Sequence, residues 1–178
     1  IYISNKFFDN NLEWLQKFKI KDYNVNQISS SAMRKISKTK TSSGIAAVCV
    51  LPKALKPSTK INQWLYLDSI SDPGNLGSLF RSAAWFGFNH VVLSQKCVDP
   101  YNPKVVRSGM GAHFHLKIHT GFELDIFSLS HQIIGADQQG NSFTADRLPN
   151  KFVLVLGNEA HGLSPYIRDQ VQEIISIK

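Results

Sequence analysis

Two short stretches bring together residue types that could hold an anion and manage a proton. The first reads Asp72-Pro73-Gly74-Asn75-Leu76-Gly77-Ser78-Leu79-Phe80-Arg81. Glycine lets main chain approach a ligand closely, and the start of a helix beyond it offers unpaired N–H groups to an anion. Arg81, a helical turn or so past Asn75, could point back into the same cleft. The stretch has neither the Gly-Lys-Ser/Thr of a phosphate loop nor dinucleotide-binding glycine spacing, which argues against a nucleotide-dependent oxidoreductase. Its plain reading is a capped helix with a surface arginine. The second stretch reads Gly157-Asn158-Glu159-Ala160-His161-Gly162-Leu163-Ser164. A carboxylate between two glycines is a poor choice for mere solubility, although an exposed acid on a glycine-rich turn is the plain alternative. His161 is expected to be a spectator of this loop. His113, His115 and His119 fall close together, the first two on one predicted strand face, but no nearby carboxylate or cysteine completes a ligand set. No metal is expected.

These residues need a scaffold. From residue 64 onward the pattern is strand then helix, repeated. Apolar runs predict strands at 64–67, 90–93, 115–118, 133–136, 152–156 and 174–177. Helices are predicted near 76–86, 103–109, 124–129 and 165–171, the last opened by Ser164 as cap and Pro165 at the first helical position. Short apolar strands with helical crossovers imply a parallel sheet covered on both faces. In such sheets ligands bind beyond the carboxyl ends of the strands. Both stretches follow predicted strands.

The first part of the chain is built differently. Strands are predicted at 1–3, 23–25 and, as a buried apolar run, 45–51. Leu12, Leu15 and Phe18 have the spacing of a helix stripe with Trp14 on its flank, and 31–36 reads as a short helix after a serine cap. Residues 35–43 are basic and rich in hydroxyls, as in an exposed loop. Pro52 and Pro57 mark the boundary, giving a small α/β domain at 1–52, a linker at 53–61 and a larger domain at 62–178. Charge divides the same way, +8 over residues 1–60 and −1 over 61–178. A small basic segment beside a near-neutral one suggests an anion-binding appendage, nucleic acid being the commonest large polyanion. A basic face with no partner is the alternative. Cys49 and Cys97 are far apart in apolar runs and are expected to be buried small hydrophobes, free of disulfide or metal. No apolar run approaches the ~18 residues that span a bilayer, and no leader pattern opens the chain. A soluble cytoplasmic protein without a membrane partner is expected. The first residue, Ile1, is not methionine, which suggests a fragment.

Together the two stretches resemble the SpoU/TrmH family of RNA 2′-O-ribose methyltransferases, of the SPOUT superfamily. Asn75-Leu-Gly-Ser-Leu-Phe-Arg81 matches the family's first motif, Asn-x-Gly-x-x-x-Arg. Leu156-Gly-Asn-Glu159-Ala-His-Gly-Leu-Ser164 matches its second, with Ala160 where glycine is usual. Residues 103–112 look like the family's helix between them. The resemblance spans about 62 to 178, and the segment before 52 looks like the small substrate-binding domain of many members. It implies an α/β fold, a parallel sheet with a C-terminal trefoil knot, working as a homodimer on rRNA or tRNA. It implies S-adenosyl-L-methionine as donor, held by main chain at Ala136, Gly157 and Ile177. Arg81 is implied as the catalytic centre, oriented by Asn75 and Glu159. The family's third motif, a Ser-Leu-Asn segment, is expected just past Lys178, so the site as given is expected to be incomplete. The competing reading is a noncatalytic RNA-binding protein on the same fold.

Overall fold

The computed structural model describes residues 1–19, 24–37, 39, 41–143 and 148–176, with 18 and 19 described by backbone alone. The chain divides into two compact units, Ile1–Pro52 and Lys53–Lys178.

The first unit contains β1 (Tyr2–Ser4), α1 (Asn5–Asn10), α2 (Leu12–Lys19), β2 (Asn26–Ile28), α3 (Ser30–Ile36) and β3 (Ile45–Ala46). Its sheet runs β2-β1-β3, with β1 parallel to β2 and antiparallel to β3. Serines open two of the helices: Ser4 Oγ accepts from Phe7 N–H, and Ser29 Oγ from Ala32 N–H. Each satisfies a donor that a first helical turn leaves open. Ile3, Leu15 and Met33 are buried.

Several expectations change here. Residues 45–51 do not form a buried strand: β3 ends at Ala46, and Val50 is 97% exposed. The register explains this. Ile45 faces Ile3 and Ala46 faces Tyr2, so the ladder has reached the start of β1 and later residues have no strand opposite. Cys49 is therefore exposed rather than buried, whereas Cys97 is half-buried; both are free thiols. In the expected helix stripe Leu15 is buried and Leu12 is exposed, while the Phe18 side chain lies outside the described residues. The strand expected at 23–25 is found at Asn26–Ile28 instead, and Tyr23 lies outside the described residues.

The second unit contains β4 (Gln63–Leu67), α4 (Pro73–Trp85), β5 (His90–Leu93), α5 (Pro103–Ser108), β6 (Lys117–Thr120), β7 (Gln132–Ser142), β8 (Phe152–Leu156), α6 (Pro165–Arg168) and β9 (Glu173–Ser176). Short 3-10 turns occupy Ala112–Phe114 and Leu124–Phe127. The six strands lie in the order β6-β5-β4-β8-β7-β9, all pairs parallel. One face packs Leu65, Leu67 and Leu93 against Leu76 and Phe80 of α4 and Val105 of α5. The other packs Trp64, Tyr66 and Val155 against Phe127 and Ile167. After β4 the chain travels toward β5, and after β8 it travels toward β9 on the far side of β7. The order therefore switches direction between β4 and β8, which leaves a crevice at their carboxyl ends.

Three local expectations shift in this unit. The strand expected at 115–118 is β6 at Lys117–Thr120, because the turn through Met110 and Gly111, both at positive φ, leads into a 3-10 turn first. The helix expected at 124–129 is only that 3-10 turn at Leu124–Phe127, and α6 is four residues long. β7 runs to Ser142, well beyond the expected 136.

Candidate active site

The first stretch is helix, not loop. Asp72 caps α4, its carboxylate accepting from Asn75 N–H at 2.9 Å. That backbone donation, with help from Lys104 at 3.4 Å, holds the Asp72 carboxyl below its ordinary range. Asn75 thus sits in the first turn of α4, with its side chain exposed. Gly77 has a different reason to exist from the expected one. A Cβ there would lie 1.9 Å from Ser108 Oγ and 2.8 Å from Gly109 N, so the glycine lets α5 close against α4. The Ser108 hydroxyl reaches the Pro73 carbonyl at 3.1 Å, tying α5 to the first turn of α4. Arg81 lies exposed on the same helix, beside a surface hollow of about 380 Å³ bounded by Ser78, Arg81, Ser82, Trp85 and Phe86. Among the described residues Arg81 enters no ion pair.

The second stretch is a loop locked onto itself. Asn158 N–H donates to Gly162 O at 2.9 Å, and Gly162 N–H returns to Asn158 O at 2.7 Å. Gly162 has φ +66°, a conformation that favours glycine. A Cβ on Gly157 would sit 2.3 Å from the Gly162 carbonyl carbon. The loop's own backbone therefore already excludes a side chain at Gly157, with no ligand needed to explain the glycine.

Two residues that the motifs did not single out anchor this loop. Asp68, only 2% exposed, accepts from Ser164 N–H at 2.8 Å and from Ser69 Oγ at 2.9 Å. Its own N–H donates to Leu156 O at 2.8 Å. Ser69, at φ +59°, accepts at its carbonyl from Asn158 Nδ2 at 3.0 Å and donates its N–H to Ser94 Oγ. The pair pins both ends of the second stretch to the end of β4. One signal was available: an acid directly after an apolar strand is buried only if its oxygens find donors. Glu159 remains exposed at the loop's tip. Among the described residues, no hydrogen bond or ion pair joins Asn75, Arg81 and Glu159 to one another.

Ala136 closes the β7 ladder, pairing with Leu156 on one side and Ile175 on the other. β7 then leaves β9 and rejoins it at Asn141, which also faces Ile175. Ala136 and Gly157 thus lie near each other where the pairing of β7 with β8 ends, with β9 next in order. Ile177 lies outside the described residues. Asp137, directly after Ala136, accepts from Gln139 N–H and pairs with Arg168. Those contacts, the backbone one foremost, lower its carboxyl below the ordinary range.

The histidines disperse. His113 lies in the 3-10 turn and bonds the Pro100 carbonyl at 2.8 Å, so it shares no strand face with His115. His119 is buried and stacked on His90. Among the described residues no group of three His, Cys, Asp or Glu side chains could hold a metal ion. His161 is exposed.

Residues 62–178 match the model of the SpoU rRNA Methylase family. The mitochondrial rRNA methyltransferase 3 of Mus musculus is 35% identical over 131 residues, covering 68% of this chain and 31% of that protein. The 23S rRNA (guanosine(2553)-2′-O)-methyltransferase RlmP of Bacillus subtilis is 32% identical over 142 residues, covering 76% and 56%. The chain thus spans about a third of the mitochondrial relative and about half of the bacterial one. A TrmH-family protein from Porphyromonas gingivalis superposes with a TM-score of 0.79 at 31% identity, over 88% of this chain and 66% of that one. An AdoMet-bound rRNA methyltransferase from Sinorhizobium meliloti shares the fold, with a TM-score of 0.73 at 20% identity over 99% and 70%.

Proposed function

The chain belongs to the SpoU rRNA methylase family, and from that premise we propose that it transfers a methyl group from S-adenosyl-L-methionine to a ribose 2′-hydroxyl of rRNA or tRNA. One observation supports the reading: the second motif directly follows β8 and the first begins in the opening turn of the helix after β4, the two strands between which the order switches.

The donor contributes an electrophilic methyl on a sulfonium centre whose departure leaves a neutral thioether. The residues present fit such a molecule. Ala136 and Gly157 are small, half-buried and set where the pairing of two adjacent parallel strands ends, where main-chain N–H and C=O groups can recognise it. Ile177 is proposed as the third. Asp68 and Ser69 hold the loop after Gly157 in one shape, so little ordering cost falls on binding. The acceptor hydroxyl is the harder partner, since it keeps its proton at neutral pH. Arg81 is proposed to stabilise the oxyanion that develops there, by charge and by hydrogen bonds directed from its planar fork. A guanidinium does not deprotonate in this range, so the hydroxyl proton is proposed to leave to a phosphate oxygen of the RNA, and from there to water, as the O–CH3 bond forms and the S–CH3 bond breaks. Glu159 and Asn75 are proposed to close around Arg81 and the ribose once RNA is bound, each being exposed and available.

The same reading gives the basic first unit the task of gripping RNA phosphates. It also carries a homodimer, in which exposed Trp85 and Phe86 beside Arg81 offer apolar surface, and a trefoil knot at the C-terminal strands. No helix among the described residues is long and apolar enough to cross a membrane; a cytoplasmic setting is proposed. Incubating the protein with labelled donor and rRNA or tRNA, then mapping alkali-resistant 2′-O-methyl linkages, tests the reading. Transfer to a base atom, or none to any RNA, overturns it.

A further inference from the structure

The first unit holds a hollow of about 630 Å³ that none of the chemistry above uses. That volume falls within the roughly 300–1,000 Å³ of small-ligand pockets. Its base includes buried Met33 and half-buried Phe7, and its lining includes Lys6, Arg34, Asn10 and Thr41. Among the described residues no acidic side chain lines it, and neither Lys6 nor Arg34 enters an ion pair. One wall is the chain at 41–44. Gly44 allows that wall to close: at φ +83°, it would carry a Cβ 2.9 Å from Ser4 Oγ and 3.0 Å from Phe7 Cβ.

We propose that this hollow receives one unpaired nucleotide of the substrate RNA, its base against Phe7 and Met33 and its phosphate against Lys6 and Arg34. The inference rests on the reading that RNA is the substrate. Duplex backbone alone would need only a basic surface, since its charge lies on the outside of a wide cylinder. A concave site with an apolar base and a cationic, hydroxyl-rich lining suits a splayed nucleoside, which offers a flat face and polar edges together.

The test uses the full chain and two RNA hairpins with the same stem, one fully paired and one carrying a single bulged adenosine. Affinity is read by fluorescence anisotropy. The bulged hairpin should bind about tenfold more tightly, within the range for one stacked base. Thr41→Trp, at an exposed position, fills the hollow without changing charge. It should bring the ratio close to one while leaving the paired hairpin's affinity in place. Lys6→Gln with Arg34→Gln should lower the ratio as well. Equal binding of the two hairpins by the unaltered protein, or a ratio that all these variants leave unchanged, overturns the pocket while RNA recognition stands. If neither hairpin nor rRNA binds, the reading of RNA as substrate falls with it.

Discussion

The two ends of the six-stranded sheet use polar residues in opposite ways. At the carboxyl ends, Asp68, Ser69, Asn158 and Ser164 spend their hydrogen bonds fixing main chain, and Glu159, like Arg81 on α4, stays exposed. Toward the amino ends, polar rings are packed into the core. His90 Nδ1 lies 3.3 Å from His119 Nε2, both rings pack against Trp64 at steep angles, and buried His131 bonds the Ile61 carbonyl at 2.6 Å. The first arrangement leaves charge free to meet a substrate. The second disfavours charge at His90 and His119, because burial penalises the ionised imidazole. Substitutions at the two ends should therefore separate: activity changes at one, pH-dependent stability at the other.

The largest effect should come from Arg81. Arg81→Lys keeps the charge and loses the planar fork, so methylation should fall by about 10²–10³-fold, the scale of one lost oxyanion donor. Donor binding, measured by calorimetry, should be nearly unchanged. A rate within threefold of that of the unaltered protein would remove Arg81 from the centre of the proposed site.

Next come the two glycines, which the sequence presents alike and the structure does not. Gly157→Ala sets a Cβ against backbone that cannot rotate away. The loop must shift, and donor affinity should fall at least about tenfold, a change of ~1.4 kcal/mol. Gly77→Ala meets mainly the Ser108 side chain on α5. It should cost ~1–3 kcal/mol of stability by overpacking, with donor affinity little changed and part of the loss recovered by adding Ser108→Gly. Equal loss of donor affinity in both variants would mean that the first motif's glycine serves the ligand after all.

Much of this was legible in the residues. Apolar runs of strand length, separated by helix starts, gave the parallel sheet because each run is buried on both faces and must read as continuous. The motif spacing singled out Asn75, Arg81 and Glu159, which the structure leaves exposed and, among the described residues, without a bond to one another. What spacing cannot show is which atoms a glycine faces: Gly77 and Gly157 both meet protein, one a helix and one its own loop. Nor can it show Asp68, whose meaning depends on Ser164, 96 positions away. Val48 and Val50 misled for the complementary reason, since an apolar run is buried only if something lies opposite it, and here β1 has run out.

A smaller effect is expected at Asp68. Asp68→Ala leaves Ser164 N–H without its partner at the end of β4, which should cost ~1–3 kcal/mol if the donor stays buried. The loss should appear as weaker donor binding as well as a lower melting temperature, because the loop that slackens is the one after Gly157. A lower melting temperature with unchanged donor affinity would place Asp68 with the purely structural residues of the opposite end.

The smallest effect belongs to that opposite end. Burial lowers His90 below its ordinary 6.5, with His119 and Lys117 adding to the shift, and burial likewise lowers His119 despite its bond to the Leu55 carbonyl. In the folded protein both rings therefore bind protons less readily than in the unfolded chain. As pH falls below about 6.5 the unfolded chain takes up protons that the folded one refuses, so stability declines from there until the folded rings also ionise. Above 6.5 both states are neutral and this contribution is fully present. Melting temperature should thus fall between pH 7.5 and 5. His90→Phe, which removes one titrating ring and the like-charge partner of the other, should flatten part of that slope. The proposed methylation, compared at pH 7.5 where both rings are neutral, should be the same for this variant as for the unaltered protein. A slope untouched by His90→Phe would assign the acid sensitivity to other groups, and a loss of methylation at pH 7.5 would show that the two ends of the sheet are not separable.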